Sequence, residues 1–439
     1  MPNTPKPLDR IRVCFVSLYA YPLFNPECIS PFGGSEVRVA MIAKELARRG
    51  NLDVNLITFD HGQPHHETIE NVKLTAWSGN HCRATVHPGE ASQNNDTLES
   101  DHPSTADTLK TYLPHAIWHI LQLARKIKRQ FYLFGEIGTH SIWHSDVGIF
   151  DEVNADVYIV AGNGELTSNL VYYCKKRGKK FILLAGSDLD FDPRITSDPD
   201  FVTQYGVPGY LMAYNLKNTD IFLVQTEHQR ELLERHFQRK GVVVRNPIDT
   251  TRNFSRNIEK NTILWVGKSD TVKRPELALD VAENLPQYPF KLILNLSNKE
   301  IYLDCHTRAK HLPNVTILTY VPYDQIEKEY AQAKLFLSTS LLEGFPNTFL
   351  HAAKYGVPIV SLNVDPGGML STFGCGMFCN GNFETIKESI YDLMTTPDLY
   401  STSSFRCLNY VHQYHDKEII ARQYEEAILS LYRLQASSF

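Results

Sequence analysis

Short runs of β-branched and aromatic residues alternate along the chain with stretches whose apolar side chains recur every three or four positions. "IRVCFVSLY" reads as a strand, "SEVRVAMIAKELARRG" as a helix and "LDVNLITF" as the strand that follows. Ser35 is expected to cap the helix, Arg48 and Arg49 suit its negative C-terminal end, and Gly50 is placed to stop it. Such a strand–helix–strand unit closes by a right-handed crossover and builds a parallel sheet. "DVYIVAG", "KKFILLAGS", "DIFLVQT" and "GVVVRNP" carry the alternation to about residue 247. A second series then begins: "TILWVGK", "FKLILNLS", "VTILTYV", "KLFLSTS" and "PIVSLN", each trailed by a helical pattern.

Two such series predict an α/β protein of two Rossmann-like doubly wound domains facing across a cleft. Residues 1–247 form the first and 248–415 the second, joined near "VRNPID". The helical stretch 416–439 is expected to pack back on the first domain. At 439 residues the chain exceeds what one ordinary core holds. Residues 79–107 break the rhythm: they are polar, rich in Ser, Asn, Asp and His, and read as a mobile loop. Residues 114–134 read as a helix with Trp118, Leu121 and Phe131 beside Arg125, Lys126, Lys128 and Arg129. Such a helix can rest on an anionic membrane surface; packing its apolar stripe inward is the simpler reading.

Composition narrows the classes. Hydrophobic residues make up 43% and charged residues 21%, as in a globular protein that needs no lipid around it. A net charge of −5 asks for no nucleic acid. Eight cysteines are scattered without a CxxC pair, Cys375 and Cys379 being the one close pair, so a reduced cytoplasmic setting is expected. The N-terminal apolar run is too short for a membrane span and lacks a cleavage pattern. The histidines of "GQPHHE" and "HSIWHSD" match no compact ligand set by spacing, so surface or core histidines are expected there.

Three segments carry candidate chemistry. Gly33 and Gly34 stand before a helix, where bare backbone and free N–H groups attract anions; an ordinary βα turn reads the same way. Lys268 ends a strand and Lys273 precedes the next helix, a pair able to take up negative charge on a leaving diphosphate, though loop lysines are commonly only solvated. In "STSLLEGFPNTFLHAAKYG" an acid, Glu343, is followed by a turn with exposed amides and then by a helix bearing His351. Such a turn can hold sugar hydroxyls through Glu343 and main-chain N–H groups, with the helix N-terminus turned to a phosphate.

On these residues the chain resembles the retaining glycosyltransferases of family 4, of the GT-B fold and the group 1 glycosyl transferases. The likeness runs nearly the full length: Gly33-Gly34-Ser35-Glu36; "QTEHQRELLERHF…VVVRNPID"; the basic pair at the spacing of the family's G-R-x5-K pattern; and the Glu-x7-Glu region. It implies transfer of a hexose from a nucleotide-diphosphate sugar to an acceptor hydroxyl with retention, without a bound metal. The acceptor would be a saccharide or lipid-linked, in polysaccharide or glycolipid synthesis in the cytoplasm or at the inner face of the membrane. By the same resemblance Gly34, beside Gly33, lies near the donor phosphates and Lys268 and Lys273 contact the diphosphate. Glu343 holds sugar hydroxyls, the backbone of Phe345, Pro346, Asn347 and Thr348 cradles sugar and phosphate, and Val321 faces the nucleobase. Lys268 replaces the usual Arg and gives up bidentate phosphate contact. His351 replaces the second Glu, which grips the ribose; an imidazole there still hydrogen-bonds. Asp188 stands where relatives carry a histidine in the first domain and is its candidate substitute.

Two rival readings remain. Asp188, Asp190 and Asp192 in "FILLAGSDLDFD" resemble the metal-holding acidic motif of the other glycosyltransferase architecture. Alternatively, the protein binds a nucleotide sugar without turning it over, His351 marking decay of the site.

Overall fold

The computed structural model describes residues 10–78, 148–203, 206–251, 260–319, 321–322 and 325–436. The polar insertion at 79–107, the basic-aromatic stretch 114–134 and the "HSIWHSD" histidines lie outside the described residues. Two compact units divide the chain: the first takes residues up to 185 with 189–222 and 232–241, the second 186–188, 223–231 and everything from 242. The helix Lys417–Ala436 is thereby grouped with the second unit, where Lys417 pairs with Asp249 at 2.7 Å.

Eight strands, mostly of the first unit, form one sheet: β1 (Arg12–Val16), β2 (Asp53–Phe59), β3 (His66–Ile69), β4 (Val72–Trp77), β5 (Val157–Ala161), β6 (Lys180–Leu184), β7 (Ile221–Val224) and β8 (Gly241–Val243). Their order is β3-β4-β2-β1-β5-β6-β7-β8. β1 pairs in parallel with β2 and β5, and its residues Val13, Cys14 and Phe15 are wholly buried, as a strand covered on both faces requires. The helix after β1 spans Gly34–Arg49 and stops at Gly50, whose φ of 74° is the left-handed turn glycine adopts most cheaply. Its N-cap is Gly33 rather than the expected Ser35. The cap is closed from inside the helix, where Glu36 Oε2 accepts the Gly33 N–H at 2.8 Å.

The β3–β4 hairpin was not foreseen. It is the sheet's antiparallel edge and turns on two residues, Glu70 and Asn71, with φ of 50° and 63°. Two positive φ values in a two-residue loop match the twist of the strands they join. Glutamate there lacks the Asn-Gly signature that advertises such a turn.

The second unit holds six strands: β9 (Thr262–Lys268), β10 (Phe290–Asn295), β11 (Val315–Leu318), β12 (Ala333–Ser338), β13 (Ile359–Ser361) and β14 (Gly376–Phe378). All pair in parallel, in the order β11-β10-β9-β12-β13-β14. Successive side chains face opposite layers: Ile263 and Trp265 enter one core with Leu335 and Leu337, while Leu264 and Phe336 enter the other. Burying each such side chain is worth about 1.5–3 kcal/mol, so both helical layers are held to the sheet. The strand order reverses between β9 and β12, leaving a crevice at their carboxyl ends where doubly wound sheets bind ligands. No helix among the described residues is long and apolar enough to cross a membrane.

Candidate active site

The candidate residues that meet here come from the two loops flanking the reversal, held by partners from elsewhere in the chain. β9 ends in Gly267-Lys268, and a Cβ on Gly267 would come within 2.7 Å of the Trp265 ring, so the indole folds over bare backbone. Past Lys268 the loop is wound by Asp270, whose Oδ1 accepts the N–H groups of Val272 at 3.0 Å and Lys273 at 2.7 Å. Arg274 then takes a left-handed φ of 51° and caps the helix Pro275–Asn284. Its side chain recovers part of that cost by donating from Nε to Thr339 O at 2.8 Å and from Nη2 to Asn363 Oδ1.

From the β12 side, Thr339 answers. Its hydroxyl lies 2.8 Å from the carbonyls of both Lys273 and Arg274 and accepts the Trp265 indole N–H at 3.0 Å. Leu341 N–H donates to Val272 O at 2.7 Å. These bonds lock the two loops in register, and their product is an ion pair between Lys273 Nζ and Glu343, both side chains about four-fifths buried.

Beyond Glu343 the turn is tight for a steric reason. A Cβ on Gly344 would stand 2.7 Å from Gln225 Oε1 and 2.8 Å from Gly186 O. Phe345 is buried with its ring 4.7 Å from that of His415. Asn246 clamps the turn, its Nδ2 donating to Phe345 O at 3.0 Å and to Asn347 Oδ1 at 3.2 Å. Pro346 is the N-cap of the helix Asn347–Lys354. Asn347 and Thr348 open that helix, at the positive end of its dipole.

Lys273, Glu343, Phe345, Pro346, Asn347 and Thr348 are thus brought together. Lys268 stands exposed at the end of β9, its carbonyl accepting Asp270 N–H at 3.0 Å; among the described residues no carboxylate pairs with its side chain. Val321 is half-buried and packs on the core beside the helix Ile326–Gln332. His351 stacks on Tyr330, ring centroids 5.3 Å apart, and burial lowers its pKa to about 4, so the ring is neutral near pH 7. Asp188 belongs to the second unit; burial raises its pKa, opposed by the Gln229 side chain and by His228, whose Nε2 lies 3.8 Å away. Gly33 and Gly34 lie in the first unit, where the Gly33 amide is taken by Glu36.

The acidic run reads differently from the metal-holding motif it resembles. Asp190 is buried and accepts the Asn163 N–H at 2.9 Å. Asp192 is bound by Arg194, whose Nη2 lies 2.6 Å away, and this pairing holds its carboxyl below the usual range. Both are committed to protein partners.

Sequence reasoning missed Trp265, Arg274, Thr339 and Asn246, the residues that fix the loops. Asn246 stood inside "VRNPID", where the chain passes between its two series. Nothing marked the others, since a threonine after a strand or an arginine after a lysine has no pattern of its own.

Several known proteins are similar to this chain. A curated relative described as an uncharacterized glycosyltransferase, from Haemophilus influenzae, is 24% identical over 196 residues, 41% of this chain and 53% of its own length. The alignment therefore spans about half of that relative. Sucrose-phosphate synthase from Thermosynechococcus elongatus superposes with a TM-score of 0.66 at 14% identity, over 97% of this chain and all of that one. The Anabaena protein HepE, solved in complex with UDP, gives 0.58 at 13% identity over 96% of this chain and 100% of its own. Residues 248–401, the second sheet with the loops just described, match the family described as Glycosyl transferases group 1, and the chain shares the two-sheet GT-B fold of these neighbours.

Proposed function

We propose that the protein is a glycosyltransferase of the group 1 type that moves a hexose from a nucleotide-diphosphate sugar to an acceptor hydroxyl with retention of configuration. The observation that carries this reading is the Lys273–Glu343 pair set at the β9/β12 reversal, inside the segment that matches the family. Within the chain each charge of this pair satisfies the other. A donor diphosphate offers Lys273 a stronger partner and releases Glu343 to the sugar hydroxyls. The bond from the anomeric carbon to the phosphate oxygen breaks as Lys273, Lys268 and the amides of Asn347 and Thr348 take up the growing charge. The acceptor hydroxyl attacks from the same face and its proton passes to the departing phosphate oxygen. Neutral His351 serves the ribose and Val321 the base, while Asp188 and the Gly33-Gly34 turn serve the reacting end of the substrates.

The UDP bound by HepE makes a uridine donor the first to try. A polysaccharide or lipid-linked acceptor, used in the cytoplasm at the membrane's inner face, fits the resemblance of the whole chain. The test is turnover of a panel of nucleotide sugars by wild type and Lys273→Ala. Losing one charge-stabilising group costs about 3 kcal/mol, so kcat should fall by about a hundredfold or more. Near-normal turnover in the variant defeats the scheme, and donor binding without turnover in wild type makes the protein a binder only. Activity persisting in EDTA is expected.

A further inference from the structure

Far along the chain from these loops, the first unit gathers three side chains with the chemistry of a metal-binding set. His65 immediately precedes β3, His66 opens it, and Glu152 comes from the helix Gly148–Val153. The Nε2 atoms of His65 and His66 each lie 2.7 Å from the same oxygen, Glu152 Oε1. Neighbouring residues in a regular strand point to opposite faces, so two adjacent histidines rarely reach one point. Here His65 sits in the bend before β3 begins, and the two rings come within 4.3 Å of each other. Spacing alone hid this, because the third group stands 87 residues away.

The surroundings suit an ion. Nδ1 of His66 lies 3.4 Å from Thr75 Oγ1, its cross-strand partner in the hairpin. A histidine bound to a metal through Nε2 carries its remaining proton on Nδ1 and needs an acceptor beyond it, which this hydroxyl supplies. Asp151, next to Glu152, is engaged elsewhere, with Arg177 Nη2 at 2.7 Å and Tyr173 Oη at 3.1 Å, so of these two acids it is Glu152 that faces the imidazoles. The three side chains are 51%, 60% and 39% exposed, open to an ion from solution. Two imidazoles and one carboxylate match the preference of zinc-class ions and leave a fourth position for water.

We propose that His65, His66 and Glu152 bind one zinc-class divalent cation, which clips the β3–β4 hairpin to the helix Gly148–Val153. The site is structural and does not depend on the glycosyl-transfer reading. The test uses the untagged full-length protein, stripped with chelator and titrated with Zn²⁺ by calorimetry and with Co²⁺ by visible absorption. Wild type should take up one equivalent more than His66→Ala and Glu152→Gln, and Zn²⁺ should raise its melting temperature but not theirs. Thr75→Val, which removes only the outer partner, should weaken uptake by about tenfold. Equal uptake by wild type and both variants, or none by any, overturns the assignment. Glu152→Gln keeps the size and polarity of an exposed side chain, so its result does not turn on misfolding.

Discussion

A methyl group at position 344 would stand 2.7 Å from Gln225 Oε1 and 2.8 Å from Gly186 O. The first contact ends a side chain that can turn aside; the second is backbone and cannot. Gly344→Ala is therefore expected to lose about 1–3 kcal/mol by overpacking, read as a lower urea midpoint, and to displace Glu343 enough to depress turnover. An unchanged midpoint would mean that the turn has slack the distances deny. Thr339→Val keeps shape while deleting the hydroxyl between Trp265 and the carbonyls of Lys273 and Arg274. It leaves the buried indole N–H without an acceptor, at a cost of about 1–3 kcal/mol. Because the same hydroxyl tethers the Lys273 backbone, kcat should fall more than KM rises. Equal kcat in mutant and wild type would show that the lysine needs no such anchor.

At the level of elements, the helix Asn347–Lys354 and the strand before it were legible because ligand chemistry and periodicity point the same way there. Glu343 and the turn behind it stood out for composition, Lys273 for its place between a strand and a proline-led helix. The residues that hold them were not legible, since Thr339 and Asn246 act through bonds between loops distant in sequence. The hairpin β3–β4 escaped for a local reason, a turn built on Glu70 rather than glycine. The helix Pro397–Tyr414 escaped because its buried face is sparse, with Ser403, Cys407, Tyr410 and Val411 as its buried residues. Two histidines tie these elements to pH. Burial lowers the pKa of His351 to about 4 and of His415 to about 3, the latter against an opposing hydrogen bond with Asn246 O at 2.7 Å. The folded rings stay neutral while unfolded ones protonate near 6.5. Stability from this source is therefore whole above pH 6.5 and drains as pH falls, towards 4 for His351 and towards 3 for His415, by about 1.4 kcal/mol per pH unit for each ring. Ring resonances of both histidines should remain those of the neutral form at pH 5, where exposed histidines have titrated. A charged His415 at that pH would contradict the burial described for it.

Over the whole molecule, two sheets of similar construction differ in how openly their sequences speak. The second matches a known family over residues 248–401; on the proposed function, a diphosphate and a sugar would impose the same few groups wherever they are bound. The first sheet is built with equal regularity, and on the proposed function it would face the acceptor, whose binding falls to loops, the most variable parts of a fold. The two proposed sites consequently make separable demands, Lys273 and Glu343 in one unit and His65, His66 and Glu152 in the other. A ligand that binds only folded protein stabilises it by about 2.7 kcal/mol at a hundred times its Kd. UDP and Zn²⁺ should each raise the melting temperature of wild type by several degrees. Sites without shared partners act additively, so the two shifts should sum when both ligands are present. Lys273→Ala should abolish the nucleotide shift and keep the zinc shift, and Glu152→Gln should do the reverse. A zinc shift lost in Lys273→Ala would move the ion to the loops of the second sheet. A nucleotide shift lost in Glu152→Gln would make the first unit part of donor binding, and either result would undo the division of labour drawn from the fold.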